Sequence, residues 1–295
     1  MSEVEKGKKN GCFKTYFPSG KIKTEKNYVD GKLEGVSFTY SEEGKIIQQV
    51  YYLDNKKEGI STAFYNSGLK KIEVSFHNNK QHGFTRYFYE NGELKAEVNF
   101  NMGQKDGFAK AYYQSGTIKA EEEMKDGVQD GTTTTYYKSG KVKGVWNYNN
   151  GVPHGVSKFY HQNGKLLGEK EFIHGKDNGE TIIYYPNGTI KEKINYKDGK
   201  KDGEQISYNE DGSVKKTKFY KDGSVTKILF SPESITESEK KKEKESDSGD
   251  EDIEQAKEQI MEKKVSVSKP LNLTLLFAVT FAVIFIFYIL LITYL

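Results

Sequence analysis

Apolar and polar positions along residues 11–226 recur with one fixed period, and within it they alternate as in strands rather than stepping as in helices. An aromatic residue stands at Tyr16, Tyr40, Phe64, Phe88, Tyr112, Tyr136, Tyr160, Tyr184 and Tyr208, one every 24 residues. Six positions later comes an aliphatic residue: Ile22, Ile46, Leu94, Ile118, Val142, Leu166, Ile190 and Val214, with Lys70 as the exception. Glycines keep the same beat. One set runs from Gly11 through Gly35 to Gly203, and a second is Gly20, Gly44, Gly68, Gly92, Gly116, Gly140, Gly164, Gly188 and Gly212. A third is Gly31, Gly103, Gly127, Gly151, Gly175, Gly199 and Gly223, with Asn55 and Asn79 filling its two gaps. Asparagine is the non-glycine residue that best tolerates left-handed backbone, so the substitution fits a turn.

The period predicts nine hairpins. Pro18-Ser19, Glu90-Asn91, Gln114-Ser115 and Pro186-Asn187 each precede a glycine of the second set. That chemistry suits a three-residue loop, a type I turn closed by a left-handed glycine. Its odd length pairs Tyr112 with Ile118 and Tyr184 with Ile190 on one face, and Tyr136 and Tyr160 in the same way. The second turn, Lys-Asp-Gly-Lys-Lys in its commonest form, is expected to span five residues such as Lys197–Lys201 and to set Ile190 opposite Tyr208. The expected fold is all-β, an elongated antiparallel β-meander of about 18 strands, roughly 86 Å at ~4.8 Å per strand.

One face is expected to hold the aromatic–aliphatic ladder beside a second apolar row of Val36, Val50, Ile60, Val74, Phe84, Val98, Phe108, Trp146 and Val156. The other face is expected to carry a lysine row, Lys23, Lys71, Lys95, Lys119, Lys143, Lys191 and Lys215, next to Glu25, Glu73, Glu97, Glu121 and Glu169. Phe17, Tyr65, Tyr89, Tyr113, Tyr137 and Tyr185 edge it. Two readings of these rows stay open. They balance charge and shield hairpin ends on a wet surface, or they form a contact surface for an acidic partner or lipid headgroups. The candidate surface on the second reading is Tyr65, Tyr89, Tyr113, Tyr137 and Tyr185 with Lys71, Lys95, Lys119, Lys143 and Lys191.

The unit G-x4-Y-Y-x-N-G-x-I-K-x-E-x-x-Y-x-D-G-x-x-x-G resembles the variant MORN repeat found in bacterial antitoxin-like repeat proteins. The resemblance implies an extended twisted sheet, a role in scaffolding or dimerisation, and binding of acidic phospholipids. It also brings in an antitoxin-like binding module as an alternative. Repeats, charged linker and apolar C-terminal segment are laid out as in junctophilins, but Trp146 is the only tryptophan and the repeat itself departs from theirs.

Composition divides the rest of the chain. Residues 1–10 carry no apolar run and are expected to be disordered. Residues 231–270 hold eight lysines, twelve acids and no aromatic, which predicts a disordered linker with a short helix at about 250–263. Leu271 to Leu295 contains no charged side chain and would form a helix about 37 Å long, enough to cross a bilayer. With Lys263, Lys264 and Lys269 on its N-terminal side, the expectation is a single-pass C-terminal anchor and a cytosolic N-terminal domain.

Candidate chemistry changes this picture little. Net charge is +3 and Arg86 is the single arginine, which argues against nucleic-acid binding. Cys12, alone, allows no disulfide within the chain and stands where other units carry Val or Ile, as a small hydrophobe. His82 and His154 are too far apart to share a metal, whereas His161 and His174 could approach within one hairpin without a third ligand. No cofactor, metal site or catalytic group is expected. The functional expectation is a non-enzymatic, membrane-anchored scaffold presenting a cytosolic β-surface, its apolar face covered by curling, a homodimer partner or another protein. Its alternative is a membrane-apposition protein that binds acidic phospholipids.

Overall fold

A computed structural model of the chain describes residues 3–5 and 7–230, with side chains from residue 7 onward. The expected linker, its short helix and the membrane span at 271–295 lie outside the described residues. Among the described residues no helix is long and apolar enough to cross a membrane.

The sheet is single, open and antiparallel, and each strand pairs with the one before and after it in sequence, or across a short interruption with the next but one. Every one of the nine units contributes a hairpin, such as Gln104–Tyr112 with Ile118–Lys125, or Lys200–Tyr208 with Val214–Lys221. In units 2, 3 and 7 the first strand is briefly interrupted, as at Val152–Pro153 and Gly155–Tyr160. Two strands lie outside the nine units. Glu3–Glu5 pairs with Lys8–Asn10, inside the leader expected to be disordered, and Ser224–Phe230 adds one strand after unit 9.

The hairpin loops form as the sequence predicts. Gly188 donates its N–H to the Tyr185 carbonyl and Tyr185 donates to that of Thr189, enclosing three residues. The glycine of every such loop is left-handed, from φ +83° at Gly20 to +99° at Gly188. Tyr112 faces Ile118, Tyr136 Val142, Tyr160 Leu166 and Tyr184 Ile190.

The second turn differs from expectation. Lys197 pairs directly with Lys200, so the turn has two residues, Asp198 (φ +49°) and Gly199 (φ +84°), both left-handed as in a type I′ turn. Register is then reset by bulges. Tyr196 pairs with Lys201 but Ile194 with Gln205, the extra residues being absorbed around left-handed Gly203. Each hairpin slips by one more residue beside its loop, as between Ile183 and Tyr184. Glu192 consequently faces Ser207, and the expected pairing of Ile190 with Tyr208 does not form.

These slips re-sort the faces, because one residue of register exchanges the two sides of a strand. The proposed second apolar row splits. Val50, Val98 and Trp146 are buried on one face, whereas Ile60, Phe84 and Phe108 are 53%, 43% and 56% exposed on the other. On the packed face a small residue sits between two large ones: Thr85 lies opposite both Val74 and Val98 and is wholly buried. Side chains on both neighbouring strands close over the small residue there, and Thr133 and Ser157 at the same repeat position are likewise 0% exposed.

Candidate functional site

The predicted contact residues are the outer row of hairpin ends, and the structure brings each tyrosine to its own lysine. Lys71, Lys95, Lys119, Lys143 and Lys191 place their ammonium groups 5.9, 5.9, 6.0, 6.0 and 5.6 Å from the rings of Tyr65, Tyr89, Tyr113, Tyr137 and Tyr185. Both residues flank the same loop, and the bulge beside it turns the lysine onto the ring. Lys23 stands over Phe17 in unit 1 in the same manner.

The tyrosine hydroxyls are already engaged. Each donates to a backbone carbonyl of the next unit: Tyr65 to Phe88, Tyr89 to Tyr112, Tyr113 to Tyr136, Tyr137 to Tyr160 and Tyr185 to Tyr208, at 2.7–2.8 Å. Burial pushes the Tyr65, Tyr89, Tyr113 and Tyr137 hydroxyls above the ordinary tyrosine range. These rings are half-buried ties between hairpins, and what the row offers to solvent is ammonium. Lys71, Lys95 and Lys191 are exposed, whereas burial and then its neighbours Lys95 and Lys143 hold Lys119 below the usual lysine range. Sequence reasoning could have found the tie from the occurrence of Tyr at the same loop position in five units.

The lysine and glutamate rows do not compensate one another. Glu25, Glu97 and Glu121 pair instead with Lys14, Arg86 and Lys110 on the adjoining strand, at 2.6, 2.5 and 2.9 Å. Nor do the tyrosines of the ladder face away from the glutamates. Tyr40, Tyr136 and Tyr184 donate to Glu25, Glu121 and Glu169 at 2.9, 2.8 and 3.2 Å, which the hairpin slips make possible. Tyr136 is pushed up to about 12 by burial and by its bond to Glu121. The Lys110 ammonium and the Tyr136 hydroxyl hold Glu121 below the usual carboxylate range.

Beside this ion-paired row runs the feature the sequence did not single out. Ile60, Phe84 and Phe108 occupy one position in three consecutive units and are all exposed, with Arg86 over Phe84 and Lys110 over Phe108. The expected mixing of these residues with Val50 and Val98 hid the row.

The histidines meet in other pairs than expected. His77 lies 6.0 Å from His82 and His154 6.0 Å from His174, ring to ring, while His161 takes the loop position that other units give to tyrosine. His77 Nδ1 is 2.9 Å from Glu58. Among the described residues no three His, Cys, Asp or Glu side chains converge as a metal site would require. Cys12, read as a small hydrophobe, is exposed, at the repeat position of Ile60, Phe84 and Phe108.

The model of the MORN repeat variant matches residues 9–30, 33–54, 81–102, 129–150, 153–174, 177–198 and 201–222. Units 3 and 5 fall outside these matches yet build the same hairpins. No curated protein matches the chain. Among solved structures, a crystal structure of TcdB2-TccC3-Cdc42 is 13% identical over 78% of this chain, with a TM-score of 0.20. One of TcdB2-TccC3 is 11% identical over 77%, with a TM-score of 0.19. The chain spans 14% and 16% of those two chains.

Proposed function

The chain belongs to the MORN repeat variant family, and on that premise we propose that it is a non-enzymatic repeat scaffold. Residues 271–295 hold it at a membrane, and the outer face of its sheet engages a protein partner in the cytosol. The observation that carries this reading is the exposed row of Ile60, Phe84 and Phe108. Three large apolar side chains stand exposed at one position of successive units, on alternate strands of a rigid frame, and such a repeated apolar row suits a partner that spans several units. A homodimer partner would serve as well as another protein, and either would bury the same row.

Chemical cross-linking of the full-length chain in its own membranes tests the scaffold. Cross-links to partner or second copy are expected to concentrate on the outer face and to disappear when Ile60, Phe84 and Phe108 are all changed to Ser. Unchanged cross-links would contradict the reading. The anchor is tested separately by alkaline carbonate, which should leave the full chain in the membrane pellet and release one lacking 271–295.

Acidic-phospholipid binding is the second reading, favoured by the exposed ammonium groups of Lys71, Lys95 and Lys191 in one row. It predicts salt-sensitive flotation with phosphatidylserine vesicles, reduced when the three are changed to Ala.

A further inference from the structure

On the packed face, unit 9 is the one unit with lysine at both of two neighbouring repeat positions; Lys26 and Lys170 hold the second of them in units 1 and 7, and no other unit has lysine at the first. Unit 4 carries Ala96 and Val98 at two positions facing its neighbours, and unit 3 carries Ile72 and Val74. Unit 9 places Lys216 and Lys218 there. Lys216 lies opposite Ser207 and Phe230, and Lys218 opposite Gln205 and Ile228. A third amine arrives from the start of the same hairpin, where Lys201 Nζ donates to Gln205 Oε1 at 2.8 Å.

The three cations have little to answer them. Glu192 is the carboxylate beside them, and its Oε1 already accepts from Gln205 Nε2 and, at 3.1 Å, from Ser207. No hydrogen bond or ion pair joins Lys218 to a described residue. Lys201 lies 5.0 Å from the Tyr220 ring and Lys216 4.6 Å from that of Phe230. Burial, and then repulsion from Lys218, hold Lys216 below the usual lysine range, and burial is the main cause of the same shift at Lys201. An added anion would relieve both effects.

We propose that Lys201, Lys216 and Lys218 form a seat for the carboxylates of an acidic peptide segment on a partner protein. This rests on the scaffold reading and names the chemistry of one partner. Their place argues for a flexible chain rather than a bilayer. All three lysines are half-buried, Lys201 and Lys216 against aromatic rings, whereas a planar membrane meets protruding cations such as Lys71 and Lys95. It also argues against a merely soluble end-cap. Ser224–Phe230 lies beyond them, so the lysines do not stand on the outermost strand.

The test is fluorescence anisotropy of a labelled decaglutamate peptide with the full-length chain in uncharged detergent. Lys216→Ala with Lys218→Val installs the residues of unit 4, so the fold has a precedent, and a Gln pair at both sites is the backup should that variant melt early. Either pair is expected to weaken decaglutamate binding about tenfold. Lys71→Ala with Lys95→Ala, an equal loss of charge, is expected to change it less than about twofold. Absent binding, or equal loss in both pairs, overturns the proposal. So does loss of phosphatidylserine-vesicle flotation in the Lys216/Lys218 pair with peptide binding intact. None of these results alters the cross-links on the outer face, so the seat and the scaffold fail independently.

Discussion

Along one edge of the sheet five hairpin loops are tied to the next unit by a tyrosine hydroxyl, whereas along the other every inter-unit turn donates a backbone N–H to the strand two before it. The first tie is present in five units. Phe17, Ser41, His161 and Asn209 hold the tyrosine position in units 1, 2, 7 and 9. The second is present in all nine, from Gly31 donating to Lys9 to Gly223 donating to Lys201. The difference teaches where this repeat tolerates change. A tie made by a side chain can be dropped unit by unit, while one made by the backbone needs only a residue that accepts left-handed geometry, and Asn55 and Asn79 supply it as well as glycine.

Titration tests both edges at once and should give the largest effect. Tyr136 stands beside a hairpin loop and Tyr148 and Tyr196 near inter-unit turns, and all three are pushed up to about 12, chiefly by burial. A group whose folded value is raised stabilises the fold fully below its unfolded value and ceases to do so above its folded one. Stability followed by denaturant melts is therefore expected to be level up to about pH 10 and to fall steeply between about 10 and 12. A curve unchanged across that window would mean the rings are solvated.

The backbone edge is broken next. Gly127 has φ +86°, and Gly127→Val is expected to cost about 2 kcal/mol in chemical denaturation. Gly127→Asn is expected to stay within about 0.5 kcal/mol, since two units already use asparagine there. Equal losses would remove the backbone from the explanation.

How much of this could be read in advance depends on the edge. The hairpin loops were legible because glycine at a fixed place after Pro-Asn or Gln-Ser admits one turn geometry, and Tyr112–Ile118 and Tyr184–Ile190 pair accordingly. The inter-unit turns were not. Asp-Gly carried the two-residue signal, but Met102 and His174 share the left-handed position of Asp198 and obscured it. The bulges leave no mark in hydrophobic alternation, so the faces were misassigned, and with them the partners of the glutamates. The lysines at 216 and 218 were visible as letters but meant nothing until the register put them beside Gln205 and Ser207.

At the side-chain edge the effects are smaller. Tyr113→Phe removes the bond to the Tyr136 carbonyl and keeps the ring, and is expected to cost about 1 kcal/mol. A loss much greater than that would show the hydroxyl supporting more than one joint. Lys95→Ala leaves the Tyr89 hydroxyl bond in place and removes only the ammonium over the ring. Its expected cost is about 0.5 kcal/mol or less by thermal melt.

The central claim is that both edges weld the nine hairpins into one continuous sheet, and hydrogen exchange on the full-length chain tests it most directly. The amides of Gly31, Asn55, Asn79, Gly103, Gly127, Gly151, Gly175, Gly199 and Gly223 should be protected, and those of units 2 to 8 to a similar degree. Fast exchange at these nine positions, with protection confined to the interior of each hairpin, would contradict the account.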